Sequence, residues 1–243
     1  MKVILPMAGN GQRFFDDGYI LPKPLIDVKG KPMFKRVIDN LHLDEVTPWC
    51  IVKQDHVDQY EIDKRIREYY PDANIIITPT ITDGAACTVR LATNVLGGEP
   101  MIVANCDQLM VWNHKWFYEE IQSNMFPGGL IPVFLPDHEE PIHSYVDVDA
   151  YDNLLQLKEK EIIGPLATVG VYYFGDETKF IKAHDEQINA NDKVNDEFYL
   201  APVYNYLKEN VGVFRVEKML GMGTPQELNA LKNSEWWDKL DTL

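Results

Sequence analysis

The sequence predicts an α/β fold: a single-domain αβα sandwich with a mixed, mostly parallel central sheet. Three observations carry that expectation. Strand-like runs rich in β-branched residues alternate with helical patterns through the first half, the order that builds parallel strands through right-handed crossovers. The 243 residues are about one and a half times the ~150-residue length prior, enough for one domain with a sizeable core. No repeat, low-complexity tract or Ser/Gly linker divides the chain.

The first run, Lys2 to Met7, is a short continuous apolar stretch of the kind buried on both sheet faces, and it stops at Gly9. Pro32 to Leu41 carries Met33, Val37, Ile38 and Leu41 at helical spacing, with a proline suited to the first turn. A strand at Trp49 to Lys53, a helix from about Val57 to Tyr70 and a strand at Asn74 to Thr78 complete two βα units. Gly84 to Val95 reads as a helix, and Met101 to Ala104 as a buried strand running out into Asn105-Cys106-Asp107. Beyond it, Leu130 to Phe134, Ser144 to Val148, Leu154 to Leu157 and Thr168 to Phe174 follow one another with little helix between Asn124 and Gly175. They are expected to be antiparallel additions to the same sheet. Helices at Glu177 to Asn189 and Glu197 to Glu209 and a strand near Val213 to Val216 follow, and Pro225 to Leu240 looks helical. Trp236 and Trp237 are expected to dock that last segment onto the body.

Thirty-eight acidic against 23 basic side chains leave a net charge of −15, which excludes a general nucleic-acid binder and repels anionic membrane. No window approaches the ~18 uncharged apolar residues of a membrane span, so a soluble chain is expected. The three cysteines, Cys50, Cys87 and Cys106, each lie in an apolar run and read as buried thiols of a cytoplasmic protein. Six scattered histidines offer no His-x-x-x-His pair, which argues against zinc.

The chemistry begins at Gly9-Asn10-Gly11-Gln12-Arg13, directly after the first strand. Glycines there let the backbone turn sharply and present N–H groups to an anion. Ten residues on, Pro22-Lys23-Pro24 fixes a lysine between two prolines, so little entropy is lost in holding its charge in place. The run lacks the Gly-Lys-Ser/Thr of a P-loop, and Phe14 occupies the third glycine of a dinucleotide fingerprint.

Leu5-Pro6-Met7-Ala8-Gly9-Asn10-Gly11-Gln12-Arg13-Phe14, then Pro22-Lys23-Pro24-Leu25-Ile26 and Gly30-Lys31-Pro32-Met33, closely resembles the signature of the sugar-phosphate nucleotidylyltransferases, the NDP-sugar pyrophosphorylases. Asp83-Gly84-Ala85-Ala86-Cys87-Thr88, Asn105-Cys106-Asp107 and Gly223-Thr224-Pro225 resemble further segments of the same family in the same order. The resemblance runs from Met1 to about Leu231 and is dense over the first 110 residues. It implies a nucleotide-diphospho-sugar transferase-like sandwich with a nucleotide-binding half at 1–110, an acceptor-binding half at 111–231 and a C-terminal helix at 232–243. The implied reaction is attack by a phosphorylated acceptor, with a sugar 1-phosphate favoured, on the α-phosphorus of a nucleoside triphosphate, releasing pyrophosphate.

In that scheme Arg13, Lys23 and Asp107 are catalytic, the two cations on the triphosphate and Asp107 on Mg²⁺, a hard cation that takes one or two carboxylates plus phosphate oxygens and water. Pro6, Met7, Ala8, Gly9, Asn10, Gly11, Thr80, Asp83 and Gly84 are the implied nucleotide-binding positions, with Gly84 letting the base and sugar lie close to the backbone. Lys160, of Lys158-Glu159-Lys160, is implied to meet the acceptor phosphate, and Asn195 or Glu197 the acceptor hydroxyls. Glu197 equally suits a helix start. The partners are small molecules, with no nucleic acid and no membrane, and a homo-oligomer is left open.

One departure stands out. The family usually shares its metal with an aspartate three positions before the threonine of the Gly-Thr step, where this chain has Gly221. Either Asp107 acts with phosphates and water alone, or Asp147 or Asp149 substitutes, or the protein binds nucleotide without catalysis. Members acting on capsule or surface-polymer precursors look similar to this Met-Gly-Thr-Pro form, which keeps cytidylyl transfer to a non-sugar phosphate as an alternative. Asp147-Val148-Asp149 also satisfies the Asp-x-Asp motif of metal-dependent glycosyltransferases, though alternation on a strand with Val146 and Val148 inward explains it more simply.

Overall fold

The computed structural model describes residues 1–93, 98–138 and 140–243. Strand β1 (Lys2–Met7) lies between two parallel neighbours, β4 (Pro48–Lys53) and β6 (Met101–Ala104), and β5 (Asn74–Thr78) extends the parallel part beyond β4. Between β1 and β4 the chain forms the short ribbon of β2 (Asp27–Val28) and β3 (Lys31–Pro32). The second half adds antiparallel strands on the far side of β6, in the order β12 (Val171–Phe174), β8 (Gly129–Phe134), β11 (Leu166–Thr168), β9 (Ser144–Val148) and β10 (Leu154–Glu159). Strand β13 (Val211–Arg215) pairs parallel with β8. A separate ribbon joins β7 (Gln108–Val111) to β14 (Lys218–Gly221), with Gly221 opposite Gln108.

The period-2 geometry of the buried strands sorts their side chains between two cores. Val3, Leu5 and Met7 of β1 face one layer, and Ile4 faces the other. Ile102 and Ala104 of β6 divide from Met101 and Val103 in the same way. The first layer holds α1 (Gln12–Asp16), α2 (Met33–Asn40), α3 (Gln54–Tyr60), α4 (Ile62–Tyr69), α6 (His114–Ser123), α8 (Pro225–Lys232) and α9 (Trp236–Lys239). The second holds α5 (Ala85–Thr93) and α7 (Glu177–Asn189). The αβα sandwich with its mixed sheet is therefore the fold the sequence predicts.

Several elements differ from expectation, each for a local reason. The helix expected from Val57 to Tyr70 is two helices, because Glu61 takes the left-handed conformation at φ 51°. The strand expected at Thr168 to Phe174 breaks into β11 and β12 at Gly170, φ 78°. Glu197 to Glu209 contains no α-helix. Asn195 and Asp196 make a tight turn at φ 51° and 63°, Phe198 spends its backbone bonds on Asp83 and Ala86, and only a 3₁₀ segment, Ala201–Tyr206, follows around Pro202. The helix-start reading of Glu197 fails with it. Of the helix expected over Gly84 to Val95, positions 94 and 95 lie outside the described residues. The C-terminal helix is interrupted at Asn233-Ser234, yet Trp236 and Trp237 do pack, half-buried, against the main core. Cys50 and Cys106 are buried, whereas Cys87 is only half-buried, and all three thiols are free. Among the described residues no helix is long and apolar enough to cross a membrane.

The second core is built around rings: Phe180 of α7 meets Phe174 edge-on at 5.0 Å, and Phe174 stacks on Tyr204 at 4.4 Å. Phe180 is fully buried. Phe180→Ala is expected to cost about 3–5 kcal/mol of stability, read by chemical denaturation.

Candidate active site

The parallel strands β1 and β6 end side by side, and the loops leaving them carry the charged residues, where ligands bind on open α/β sheets. After β1 the chain turns through Gly11, whose φ of 64° is the left-handed region and whose missing Cβ leaves 3.3 Å to the Lys23 Cβ. A side chain at Gly11 would push the two cationic segments apart. Phe14 is fully buried and meets Tyr19 edge-on at 5.1 Å, which pins α1 and leaves Arg13 exposed at its first turn. Met7 and Ala8 are buried, so only their backbone faces the mouth, while Gly9 and Asn10 are exposed. Pro6 is half-buried in the ladder with β4.

Pro22 and Pro24 are buried on either side of Lys23, holding it in a 3₁₀ turn. Its ammonium lies 2.6 Å from Asp107 Oδ2, both side chains about four-fifths buried or more at 22% and 16% exposure. Burial alone would lower the Lys23 pKa, but the Asp107 carboxylate, and behind it Cys106, outweighs burial and holds the ammonium above its ordinary value. Arg13 is close enough to oppose that effect by like-charge repulsion. Asp107 leaves the end of β6, and its carbonyl accepts the Met222 N–H at 2.8 Å, which ties the strand end to the start of the Gly-Thr segment.

Arg13, Asp107 and Lys160 line one cleft of about 460 Å³, shared with Ala85, Glu159, Ser144 and Tyr199. Larger hollows exist elsewhere, such as one of about 720 Å³ between Lys35, Tyr70 and Thr242, but none of its lining residues comes from the loops that leave β1 and β6. Lys160, at φ 54°, donates to the Tyr199 hydroxyl at 2.7 Å and lies 4.9 Å from the centre of that ring. Beside it the buried Glu159 carboxylate accepts from the Ser144 hydroxyl. Burial pushes the Glu159 pKa up, against the Ser144 hydrogen bond and the Lys160 charge. His143, on the same wall, is pushed down to about 4 by burial and by its neighbour His138, so its ring is neutral at pH 7.

The remaining expected residues sit further out. Thr80 and Asp83 are exposed and do not line the cleft, while Gly84 is buried at φ 126°. The space its Cβ would need is filled by the backbone of Phe198, whose N–H donates to the Asp83 carbonyl at 2.7 Å and whose carbonyl accepts from Ala86 at 3.1 Å. Asn195 and Glu197 are exposed on the turn before Phe198 and do not line the cleft. Neither Asp147 nor Asp149 reaches it. Asp147 points outward beside Lys158, with Val146 buried as alternation requires, and Asp149 closes a turn by accepting from Tyr151 and Asn153.

Ser144, His143 and Tyr199 were not separable from ordinary strand and loop residues in the sequence. Lys53 was also missed: it leaves the end of β4 and donates to Asn10 Oδ1 at 2.9 Å, adding a cation to the glycine loop. Its place at a strand end was the available signal. Among the described residues no three His, Cys, Asp or Glu side chains gather as a metal cage. An Asp107 carboxylate at an open mouth nonetheless suits a hard cation completed by phosphate oxygens and water.

No family model matches the chain, and no curated protein matches it. Solved structures do. A nucleoside-diphosphate-sugar pyrophosphorylase from Vibrio cholerae RC9 aligns at TM-score 0.81 and 22% identity, over 96% of this chain and all of that one. A UDP-glucose pyrophosphorylase complexed with UDP-glucose aligns at TM-score 0.77 and 15% identity, over 98% of each chain. The inositol-1-phosphate CTP transferase of T. maritima gives 0.72 and 14%, over 99% of this chain and 94% of that one. This chain thus has the fold of the sugar-nucleotide pyrophosphorylases and their nucleotidyltransferase neighbours.

Proposed function

We propose that the protein is a nucleotidyltransferase joining a nucleoside triphosphate to a phosphorylated small molecule, with a sugar 1-phosphate as the favoured acceptor. The observation that carries this reading is the Lys23–Asp107 pair beside Arg13, opening onto a cleft that Lys160 also lines. Two anions must be brought together, and the four charged groups answer that need on both sides. An acceptor oxygen forms a bond to the α-phosphorus while the bond to the bridging oxygen of the leaving pyrophosphate breaks. The acceptor phosphate has a second pKa near 6 and is already mostly dianionic at pH 7, so no strong base is required. Positioning and charge neutralisation supply the rate.

In this scheme the Gly9–Gly11 backbone and Arg13 bind the triphosphate, Arg13 by its fork and Lys23 as a fixed point charge. Thr80 and Asp83 are assigned to the base edge, and Lys160 to the acceptor phosphate. Asp107 would hold Mg²⁺, which when bound supplies positive charge to the phosphates. Its oxygen donor, already carrying a cation in Lys23, fits such an ion. The neutral His143 ring and the Ser144–Glu159 pair offer hydrogen-bonding groups to acceptor hydroxyls. Asn195 and Glu197 lie on a turn from which they would reach only a bulky acceptor.

A pyrophosphate-release screen of four nucleoside triphosphates against phosphorylated sugars, amino alcohols and amides, with and without Mg²⁺, tests the reaction. No release from any pair would refute it. Arg13→Ala and Asp107→Ala are each expected to lower kcat by about 10²–10³-fold with the melting temperature little changed. Lys160→Ala should act chiefly on the KM for acceptor and leave that for triphosphate near its parent value. A raised Glu159 pKa means the folded chain binds this proton more tightly than the unfolded one, so stability is lost as pH rises above the ordinary value of 4.5. Glu159→Gln is therefore expected to be more stabilising, relative to the parent, at pH 7 than at pH 4, as read by urea denaturation at both.

A further inference from the structure

We infer that Glu227 supplies the second carboxylate of the divalent-cation site at Asp107, an assignment that rests on the nucleotidyl-transfer reading. Gly221 and Gly223 flank the strand end that carries Asp107, with Gly221 paired to Gln108 and Met222 bonded to the Asp107 carbonyl. A Cβ built on Gly221 would meet the Glu227 carboxylate carbon at 3.1 Å and its Oε1 at 3.2 Å. One built on Gly223 would meet Asp107 Oδ2 at 2.9 Å and Glu227 Oε2 at 3.2 Å. The Glu227 carboxylate thus fills the hollow the two glycines leave open. Two oxygens that share one Cβ position at those distances are no more than about 6 Å apart.

Lys23 offers one ammonium to Asp107, and among the described residues the half-buried Glu227 carboxylate has no ion pair and no hydrogen-bond donor. An ordinary helix cap does not account for it. Thr224-Pro225-Gln226-Glu227 has the spacing of a capping box, and Thr224 Oγ1 does accept the Glu227 N–H at 3.1 Å. The reciprocal bond, from the Thr224 N–H to the Glu227 carboxylate, is not made. The side chain turns instead to the glycines and Asp107. Two carboxylates facing one gap, with further oxygens to come from phosphate and water, is the donor set a small hard cation takes. The longer side chain reaches from the first turn of α8 to the place an aspartate at position 221 would occupy from β14.

The probe is Mn²⁺ alone, titrated into the full chain and followed by the electron paramagnetic resonance signal of the free ion. The parent is expected to bind a single Mn²⁺, and Glu227→Gln to weaken it by at least about tenfold, as Asp107→Asn does. The double variant Gly221→Asp/Glu227→Ala, in which the shortened residue 227 vacates the hollow, should restore affinity to within a few-fold of the parent, a rescue that damage to the helix cap could not produce. Thermal melting of each variant reports the fold separately. Mn²⁺ binding indifferent to Glu227→Gln, no Mn²⁺ binding by the parent, or no rescue by the double variant would overturn the assignment. Pyrophosphate release distinguishes the two claims: a parent that transfers nucleotide while Glu227→Gln binds Mn²⁺ normally refutes this site alone. A parent that loses Mn²⁺ with Glu227→Gln yet releases no pyrophosphate refutes the reaction alone.

Discussion

The Lys23–Asp107 ion pair is the constraint on which the rest of the site depends. It joins a loop that follows β1 to a loop that follows β6, and so locks together the two segments that would hold a polyphosphate and its counter-ion. A lysine so deeply placed would lose its charge without a partner. Asp107 holds it protonated, the buried prolines hold it still, and Gly11 lets the glycine loop pass close beside it. Each of these residues is understandable only through the others.

The net charge of −15 makes this local arrangement more telling. A strongly acidic surface repels polyanions at long range, so a polyphosphate can be held only where cations are concentrated and water is partly excluded. Arg13, Lys23, Lys53 and Lys160 gather at the C-terminal edge of the sheet, while many other lysines are engaged at the surface with Asp39, Glu61 or Glu235. The uneven distribution, more than the total, carries the information about ligand.

Much of the fold was legible because the buried strands are continuous apolar runs bounded by turn residues, as in Met101 to Ala104. The glycine-arginine loop, Pro-Lys-Pro and Asp107 were legible because their residue types have few other uses in such an order. What escaped notice depends on contacts between distant segments. Nothing local marks the β7–β14 ribbon, since among the described residues each of its strands has only the other for a partner and neither is long enough to show a period. Glu197 to Glu209 has helical composition, but Phe198 is claimed by Asp83 and Ala86 more than a hundred residues earlier, and that long-range pairing overrides propensity. Glu227 looked like the third residue of a helix, and its nearness to Asp107 exists only once β14 is laid beside β7.

The pairing of Phe198 with the Asp83–Ala86 segment has a mechanical consequence. Gly84 leaves no slack there, so the lip that would read a base and the strand of chain leading to Tyr199 are riveted into one rigid piece. On the proposed reaction the span separating two bound reactants would then be a fixed dimension of the scaffold, set during folding, and the choice of acceptor would become a question of what length of molecule bridges it.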